Sequence, residues 1–446
     1  MVMALLQALL PLGIAIVMAS SDSSSSSGSS SIDVVCAGCV TETHVRSQAC
    51  RDPFQQPFAA NSPWNMAIGD EATYVPADLF IPPKAEPDAF FNDHDYVITT
   101  DATDPMTSVY DQGEWGGACR EMGLSQRECF CTRRNTSRLV TRIPFPWNAT
   151  FTSFGDNNAF AVVLPDQQTV VQSQPLYRCK AGDPVLALRD YFLAKHTGQP
   201  INVSIQAGGY VTMLGPHGGS GLSAIGGTIR VGELAPTGSI SHAIKLELNA
   251  RDYYWGNNTG ICHRWPALPY NKCPDFGGSN PHIQPGSLLA VPPALSAALE
   301  KQLSSMPALK LLSALTDFGG YLVDDTASNR GTFCAEPAVV KEVNKWYGFP
   351  LSYVWKPKNK TKPPSVTAPR RCNFTRSWVE PCMRDCCAQL PCNCNQTAAD
   401  EFWRDMLAVF RALHVVANSG PSAIGGGGNR RRPPAPPLCP TPSIAG

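Results

Sequence analysis

The sequence predicts a mainly β protein, a β-sandwich or jelly-roll-like body with a few peripheral helices, followed by a small disulfide-rich C-terminal module. Three observations predict it. Short runs of β-branched and apolar residues recur between turn residues. The 446 residues include 36 glycines and 40 prolines, which favours turns over long helices. Six of the 17 cysteines crowd into residues 372–394, a density that suits a stapled module with little core.

The clearest β unit is a hairpin, Ala159–Leu164 and Thr169–Gln172, joined by a four-residue turn. Further strands are expected at 201–205, 227–231, 243–248, 288–291 and 321–323. In the stretch 243–248, Ile244, Leu246 and Leu248 alternate with Lys245 and Glu247, the pattern of a strand with one buried face. Asp183-Pro184 reads as an N-cap and first-turn proline opening a helix to about Lys195. Helical periodicity returns at 293–303 and 309–315. Glu336-Pro337 opens another helix that Gly348 ends. Thr397–Ala417 reads as an amphipathic helix with Phe402, Met406, Phe410, Leu413 and Val416 along one face.

Six segments follow from composition. Residues 1–19, with an apolar run from Ala4 to Ala19, read as a secretory signal peptide, although no Lys or Arg precedes the run. Residues 20–31 are a Ser-rich disordered spacer. The body is 32–355, a basic Pro-containing linker is 356–371, and the Cys-rich module with its amphipathic helix is 372–420. A Pro/Arg-rich tail, 421–446, is expected to be disordered, with Arg430-Arg-Arg as a processing site, a wall-binding patch or a solvated run. No later segment has the roughly 20 apolar residues that cross a bilayer, so the chain is expected not to span a membrane after signal cleavage.

Seven Asn-x-Ser/Thr sequons, at Asn135, Asn148, Asn202, Asn257, Asn359, Asn373 and Asn395, point to N-glycosylation and export. Export makes the cysteines disulfides. Their odd number leaves one over, and Cys439, alone in the tail, is the candidate for an intermolecular bridge. A net charge of zero and a charged fraction of 16% exclude a nucleic-acid footprint.

The segment from His217 to Leu234 sets His217, Ser220 and Ser223 among closely spaced glycines, which let a backbone approach another surface. It matches G-x-G-x-x-A, but a β run rather than a helix follows, against a dinucleotide loop. No G-x-S-x-G elbow occurs anywhere, against a lipase-type hydrolase. A glycan cleft using His217 and a structural glycine loop remain. His242, opening the next strand, can face the same cleft. Cys262–Ala267 places Arg264 and Trp265 beside a bridged cysteine, a guanidinium for carboxylates and a ring for sugar faces. Phe318–Ala327 delivers Asp324 and Asp325 at a strand end, where only one can enter a given cleft. Glu233 and Asp324 are candidate acid and base of a hydrolase. Asp111 and Glu114 are weaker candidates of the same kind. In a lyase, His217 or Tyr321 abstracts a proton and Arg264 or Arg230 neutralises a uronate carboxylate. No cofactor and no metal are expected. The eight histidines never form H-x-x-x-H, and Asp93 and Asp95 are only a paired-acid suggestion of calcium.

These two segments, with Ser62–Asn65, Ile240–Lys245, Arg264–Ala267 and Gly286–Pro293, resemble a family of secreted bacterial and algal proteins with an HGGSGLS-type loop and a YGxYxVDD-type strand end. The resemblance covers about residues 60–330, with Phe318 in place of the first aromatic. It implies a shared body and, because that family has no established activity, no chemistry. Two functions stay open: a secreted enzyme acting on extracellular polysaccharide, a lyase or glycoside hydrolase, and a non-catalytic wall or matrix glycoprotein that binds glycan.

Overall fold

The computed structural model describes residues 50–440, apart from 80–92, 113–130, 132–135, 137, 152–157, 189–201, 219, 257–259, 261, 269–275, 327–330 and 350–395. It is mainly β. The strands are β1 (Tyr74–Pro76), β2 (Asp93–His94), β3 (Tyr96–Thr99), β4 (Met106–Asp111), β5 (Leu139–Pro144), β6 (Phe160–Val163) and β7 (Thr169–Ser173). There follow β8 (Val185–Ala187), β9 (Asn202–Ser204), β10 (Ile244–Leu248), β11 (Leu288–Ala290), β12 (Gly320–Asp325), β13 (Gly331–Ala335) and β14 (His414–Val416). The α-helices are α1 (Pro293–Leu299), α2 (Met306–Asp317), α3 (Pro337–Tyr347) and α4 (Gln396–Arg411).

Three sheets form successive layers. A seven-stranded sheet has the order β1-β14-β11-β12-β10-β13-β2, a four-stranded one β3-β6-β7-β9, and a three-stranded one β5-β4-β8. Period-2 alternation decides which side chain meets which layer. Ile244, Leu246 and Leu248 of β10, with Leu322 and Phe333, pack against Leu311 and Leu315 of α2, Val339 and Val343 of α3, and Phe402, Met406 and Phe410 of α4. The opposite face of the same sheet, through Leu288, Tyr321, Val323 and Cys334, packs on Ala161, Val163 and Val170 of the four-stranded sheet. That sheet's other face, Phe160 and Val162, meets Val109, Ile143 and Val185 of the third.

The expected hairpin is β6–β7, paired antiparallel from Phe160–Ser173 to Val163–Val170. Asp166 holds its turn by accepting from the backbone N–H of Gln168 and Thr169. Helix α3 begins at Pro337 and ends at Gly348, whose φ of 75° is the left-handed C-terminal conformation.

Four readings change. Val185–Ala187, expected to open a helix, is a strand paired parallel with β4, because the apolar triplet Val185-Leu186-Ala187 is wholly buried there. The stretch 227–231 makes only an isolated bridge, Ile229 to Ala335. The amphipathic helix ends at Arg411, and Val416 belongs to β14, between β1 and β11. Helix α4 and β14 are therefore part of the main core rather than of a separate module, while the cysteines at 372–394 lie outside the described residues.

The tail is folded as far as residue 440. Arg430 donates to Ala67 O at 3.0 Å, Arg431 to Thr316 O at 3.2 Å and to the Tyr74 hydroxyl at 2.7 Å, and Arg432 to Asp317 at 2.7 Å. Thr316 and Asp317 end α2, where cations complement the helix dipole. Cys439 is bonded to Cys50, so it is not the unpaired cysteine, and a second bridge joins Cys131 to Cys179. The free cysteine among the described residues is the buried Cys334. No helix among those residues is long and apolar enough to cross a membrane.

The Cys50–Cys439 bridge closes a loop of 389 residues. Cys439→Ser is expected to lower stability by about 2–4 kcal/mol, measured by chemical denaturation. Non-reducing gels should show no dimer that this substitution abolishes; such a dimer would mean that the bridge is intermolecular.

Candidate functional site

Charged side chains gather on the inner face of the seven-stranded sheet, toward the four-stranded one. Because Ile244, Leu246 and Leu248 face the helices, Lys245 and Glu247 of β10 face inward. Both are buried, Lys245 completely. In β12 a register shift beside Leu246 pairs Leu246 with Leu322 and Glu247 with Asp324, skipping Val323. This bulge puts Asp324 on the side of Glu247. Asp325 is exposed, so one of the two adjacent acids enters the cluster. Asp93, in β2, lies opposite Cys334 of β13, and Asp95 follows two residues on.

Lys245 Nζ stands 2.6 Å from Asp95 Oδ2 and donates to the carbonyls of Ser223 and Ala224 at 3.0 and 3.1 Å. Thr228 donates to the same Asp95 oxygen at 2.9 Å. His217 Nε2 lies 3.2 Å from the other oxygen, Asp95 Oδ1, and His217 Nδ1 lies 3.8 Å from Asp324 Oδ2. Asp324 Oδ2 also accepts from the backbone N–H of Gly218 at 3.1 Å. Cys334 donates to Glu247 at 3.4 Å.

The glycine-rich segment shapes this arrangement. Gln172, from β7, accepts from Ser223 Oγ and Ala224 N–H and donates to Leu214 O, so the four-stranded sheet grips the loop. A Cβ on Gly226 would lie 2.2 Å from Trp64 Nε1, so only glycine lets the indole lie there. Trp64 in turn donates to Thr212 O at 2.9 Å and packs edge-on against Tyr321 with ring centroids 5.4 Å apart.

The electrostatics follow from burial. Burial opposes charge on Asp95, but Lys245 and His217 outweigh it and hold its carboxyl below the usual range. Burial and the Lys245 ammonium oppose a second proton on His217; Asp95 and Asp324 prevail and raise its pKa. Burial, then Asp93, Asp324 and Asp95, push Glu247 well above the usual carboxylate range. Buried carboxylates demand compensating positive charge. Among the described residues, Lys245 and His217 are the cationic side chains paired with this group of acids.

Of the residues singled out in the sequence, the structure brings together His217 and Asp324. The others lie in separate groups. His242 Nε2 is 3.0 Å from Glu233 Oε1, and Glu233 Oε2 accepts from Arg230 N–H at 2.7 Å, so Glu233 bonds into a different group from Asp324. Arg230 pairs with Glu336 at 3.1 Å. Arg264 donates to Ala417 O at 2.6 Å and lies 3.5 Å from His282. Tyr321 is buried in the Trp64 contact, and burial raises its hydroxyl pKa, which keeps the phenol protonated. Asp111 pairs with Arg138 at 3.1 Å, and Glu114 is outside the described residues. Sequence reasoning missed Lys245, Glu247 and Cys334 and gave Asp93 and Asp95 only the calcium suggestion. The alternation of 243–248 carried a signal for Lys245 and Glu247, but it reads as a solvated face.

No protein family, no curated protein and no solved structure was found to match the chain.

Two outcomes test this description. Lys245→Met leaves the buried Asp95 without its counter-charge and is expected to cost about 3–5 kcal/mol in denaturant unfolding; a loss below about 1 kcal/mol contradicts the pairing. Burial lowers and Glu233 more than restores the pKa of His242, so it is raised above its ordinary 6.5. The native state therefore binds the extra proton more tightly than the unfolded chain. That stabilisation is complete below pH 6.5 and is lost as pH rises through the folded pKa. The melting temperature difference between wild type and His242→Gln should shrink with rising pH, and a constant difference contradicts the charged pair.

Proposed function

We propose that the protein is a secreted, N-glycosylated hydrolase of extracellular polysaccharide, with its reaction centre where Asp324 and His217 meet. The observation that carries the proposal is a fully buried histidine set between two carboxylates, with the outer one, Asp324, retaining 8% side-chain exposure at the edge of the cluster. In this reading Asp95 orients the ring from the Nε2 side, and Asp324 accepts a proton from an attacking water. Hydrolysis suits the site better than elimination. A lyase must neutralise a uronate carboxylate, yet Arg230 and Arg264 are engaged elsewhere and Lys245 is committed to Asp95. A site this rich in carboxylates repels an anionic sugar, so the proposed substrate is a neutral glycan.

Support for a glycan comes from Trp265 and Tyr210, whose rings are 6.3 Å apart and tilted by 33°. Tyr210 is 40% exposed. The Trp265 loop reaches the His217 turn, with Leu268 N–H donating to Ser220 O at 2.8 Å. Aromatic faces present apolar area to the C–H faces of sugars while staying wet at one end. Support for export comes from the N-terminal apolar run, the sequons and disulfides such as Cys50–Cys439 and Cys131–Cys179. The Asn148 sequon lies in an exposed turn. The likeness to secreted bacterial and algal proteins belongs to the same proposal, since its HGGSGLS and VDD segments both supply the cluster.

The depth of Asp95, His217 and Lys245 also favours the reading of a non-catalytic wall glycoprotein with a polar core. Reducing-end release from a panel of neutral and uronate glycans separates the two. Wild type is expected to cleave a neutral glycan, with Asp324→Asn and His217→Ala each slower by about 10²–10⁴-fold. Absence of cleavage on every substrate, or equal rates in all three proteins, removes the hydrolase and leaves the structural reading.

A further inference from the structure

We infer that the inner cluster is a binding site for one divalent metal ion of the Zn²⁺/Mn²⁺ class, held by His217 Nδ1, Asp93 and Glu247, with Asp324 at its open side. Ligand atoms of Asp93, His217 and Glu247 all lie within 4.8 Å of one another. Paired acids alone would mean little, but the histidine adds a separate observation. His217 is completely buried, and its Nδ1 has no hydrogen-bond partner. Asp324 Oδ2, the carboxylate oxygen it faces, is 3.8 Å away, beyond hydrogen-bond reach. Nδ1 thus faces a carboxylate oxygen with no hydrogen bond made between them. A second proton or a metal cation fills such a gap, and donors on a common Zn²⁺ at about 2.0–2.2 Å each stand roughly 3–4 Å apart.

The far side of the ring is built to match. Asp95 Oδ1 stands 3.2 Å from Nε2, and the Lys245 ammonium 3.3 Å from the same nitrogen, so that side of the ring is already occupied. Metal-bound histidines are oriented by a carboxylate on the opposite nitrogen in the same way. The second possible ligand set, Asp95, His217 and Cys334, is different. There the Lys245 ammonium already stands 2.6 Å from Asp95 and 3.3 Å from His217 Nε2, where an ion would sit. The lysine thus fills one side of the imidazole and leaves the other for the metal. A mixed imidazole and carboxylate set suits Zn²⁺ or Mn²⁺, whereas Ca²⁺ takes oxygen ligands.

The inference shares its residues with the proposed reaction centre, where a bound ion would polarise a water beside Asp324, but binding can be measured without any substrate. The full-length protein is stripped with a chelator, dialysed, and titrated with Zn²⁺ or Mn²⁺ at neutral pH by calorimetry, with bound metal counted by elemental analysis. One ion per chain is expected, with a rise in melting temperature. Asp93→Asn and Glu247→Gln should each bind at least about tenfold more weakly and lose that rise, while retaining the wild-type circular dichroism spectrum. Should either variant fail to fold, the wild-type stoichiometry and its melting shift still decide. Less than a tenth of an equivalent bound by wild type, or the same shift in both folded variants, overturns the site and leaves a proton at Nδ1 as the compensating charge. Metal binding without glycan cleavage sinks the hydrolase alone, and cleavage by a wild type that binds less than a tenth of an equivalent sinks the metal alone.

Discussion

The ion pair between Lys245 and Asp95 is the constraint around which this structure is arranged. Both side chains are wholly removed from solvent, on the face where the seven-stranded sheet meets the four-stranded one. Moving two charges out of water costs several kcal/mol per ion, which only close pairing and full hydrogen bonding offset. The remaining hydrogens of the ammonium are therefore obliged to find acceptors, and they find the carbonyls of Ser223 and Ala224. Those two residues are also the ones held by Gln172 from the other sheet. One buried lysine thereby ties β10, the glycine-rich segment and β7 into a single register. An apolar residue of similar volume would pack between the sheets, yet it would not tell the loop where to stop.

The glycines solve a steric problem that the lysine creates. For its carbonyls to reach Lys245, the chain after Ser223 must run close under Trp64, and a side chain at Gly226 would overlap the indole. Trp64 cannot withdraw, because its N–H is bound to Thr212 O and its ring is set against Tyr321. The aromatic contact and the ion pair thus lock the same segment from two directions. His217 enters the cluster from the beginning of that segment, and its N–H bonds to Leu222 O across the turn. Its ring position is consequently a property of the sheets and not of a free loop.

What was legible in the sequence was local. The β6–β7 hairpin announced itself through two β-branched runs and the Asp166 turn, and α3 through Pro337 and Gly348, since each signal and its structural effect lie within a few residues. The inward turn of one acid from the Asp324–Asp325 pair was equally legible, because adjacent strand residues oppose each other. What was illegible depended on distant partners. Val185–Ala187 is a strand because β4 lies beside it, and Arg430–Arg432 are ordered because the end of α2 and the Tyr74 hydroxyl meet them. The alternation of Ile244, Leu246 and Leu248 with Lys245 and Glu247 reads as a strand with one buried face. That inference assumes water on one side of the sheet, and here a second sheet covers it.

That strand is also the most informative one. A sheet buried on both faces is normally near-continuously apolar, and β10 breaks that rule at two of its five positions. Lys245 could be explained as a structural pin, because it leaves Asp95 compensated. Glu247 has no such explanation: it adds a carboxyl beside Asp93 and Asp324, in burial that already disfavours its charge. The β-bulge next to it compounds the cost by turning Asp324 toward the same interior instead of away from it. A fold selected only for stability would gain from an apolar residue at 247 and a regular ladder in β12. Local rules broken together at one place, each at a cost in stability, set this cluster apart from the rest of the core.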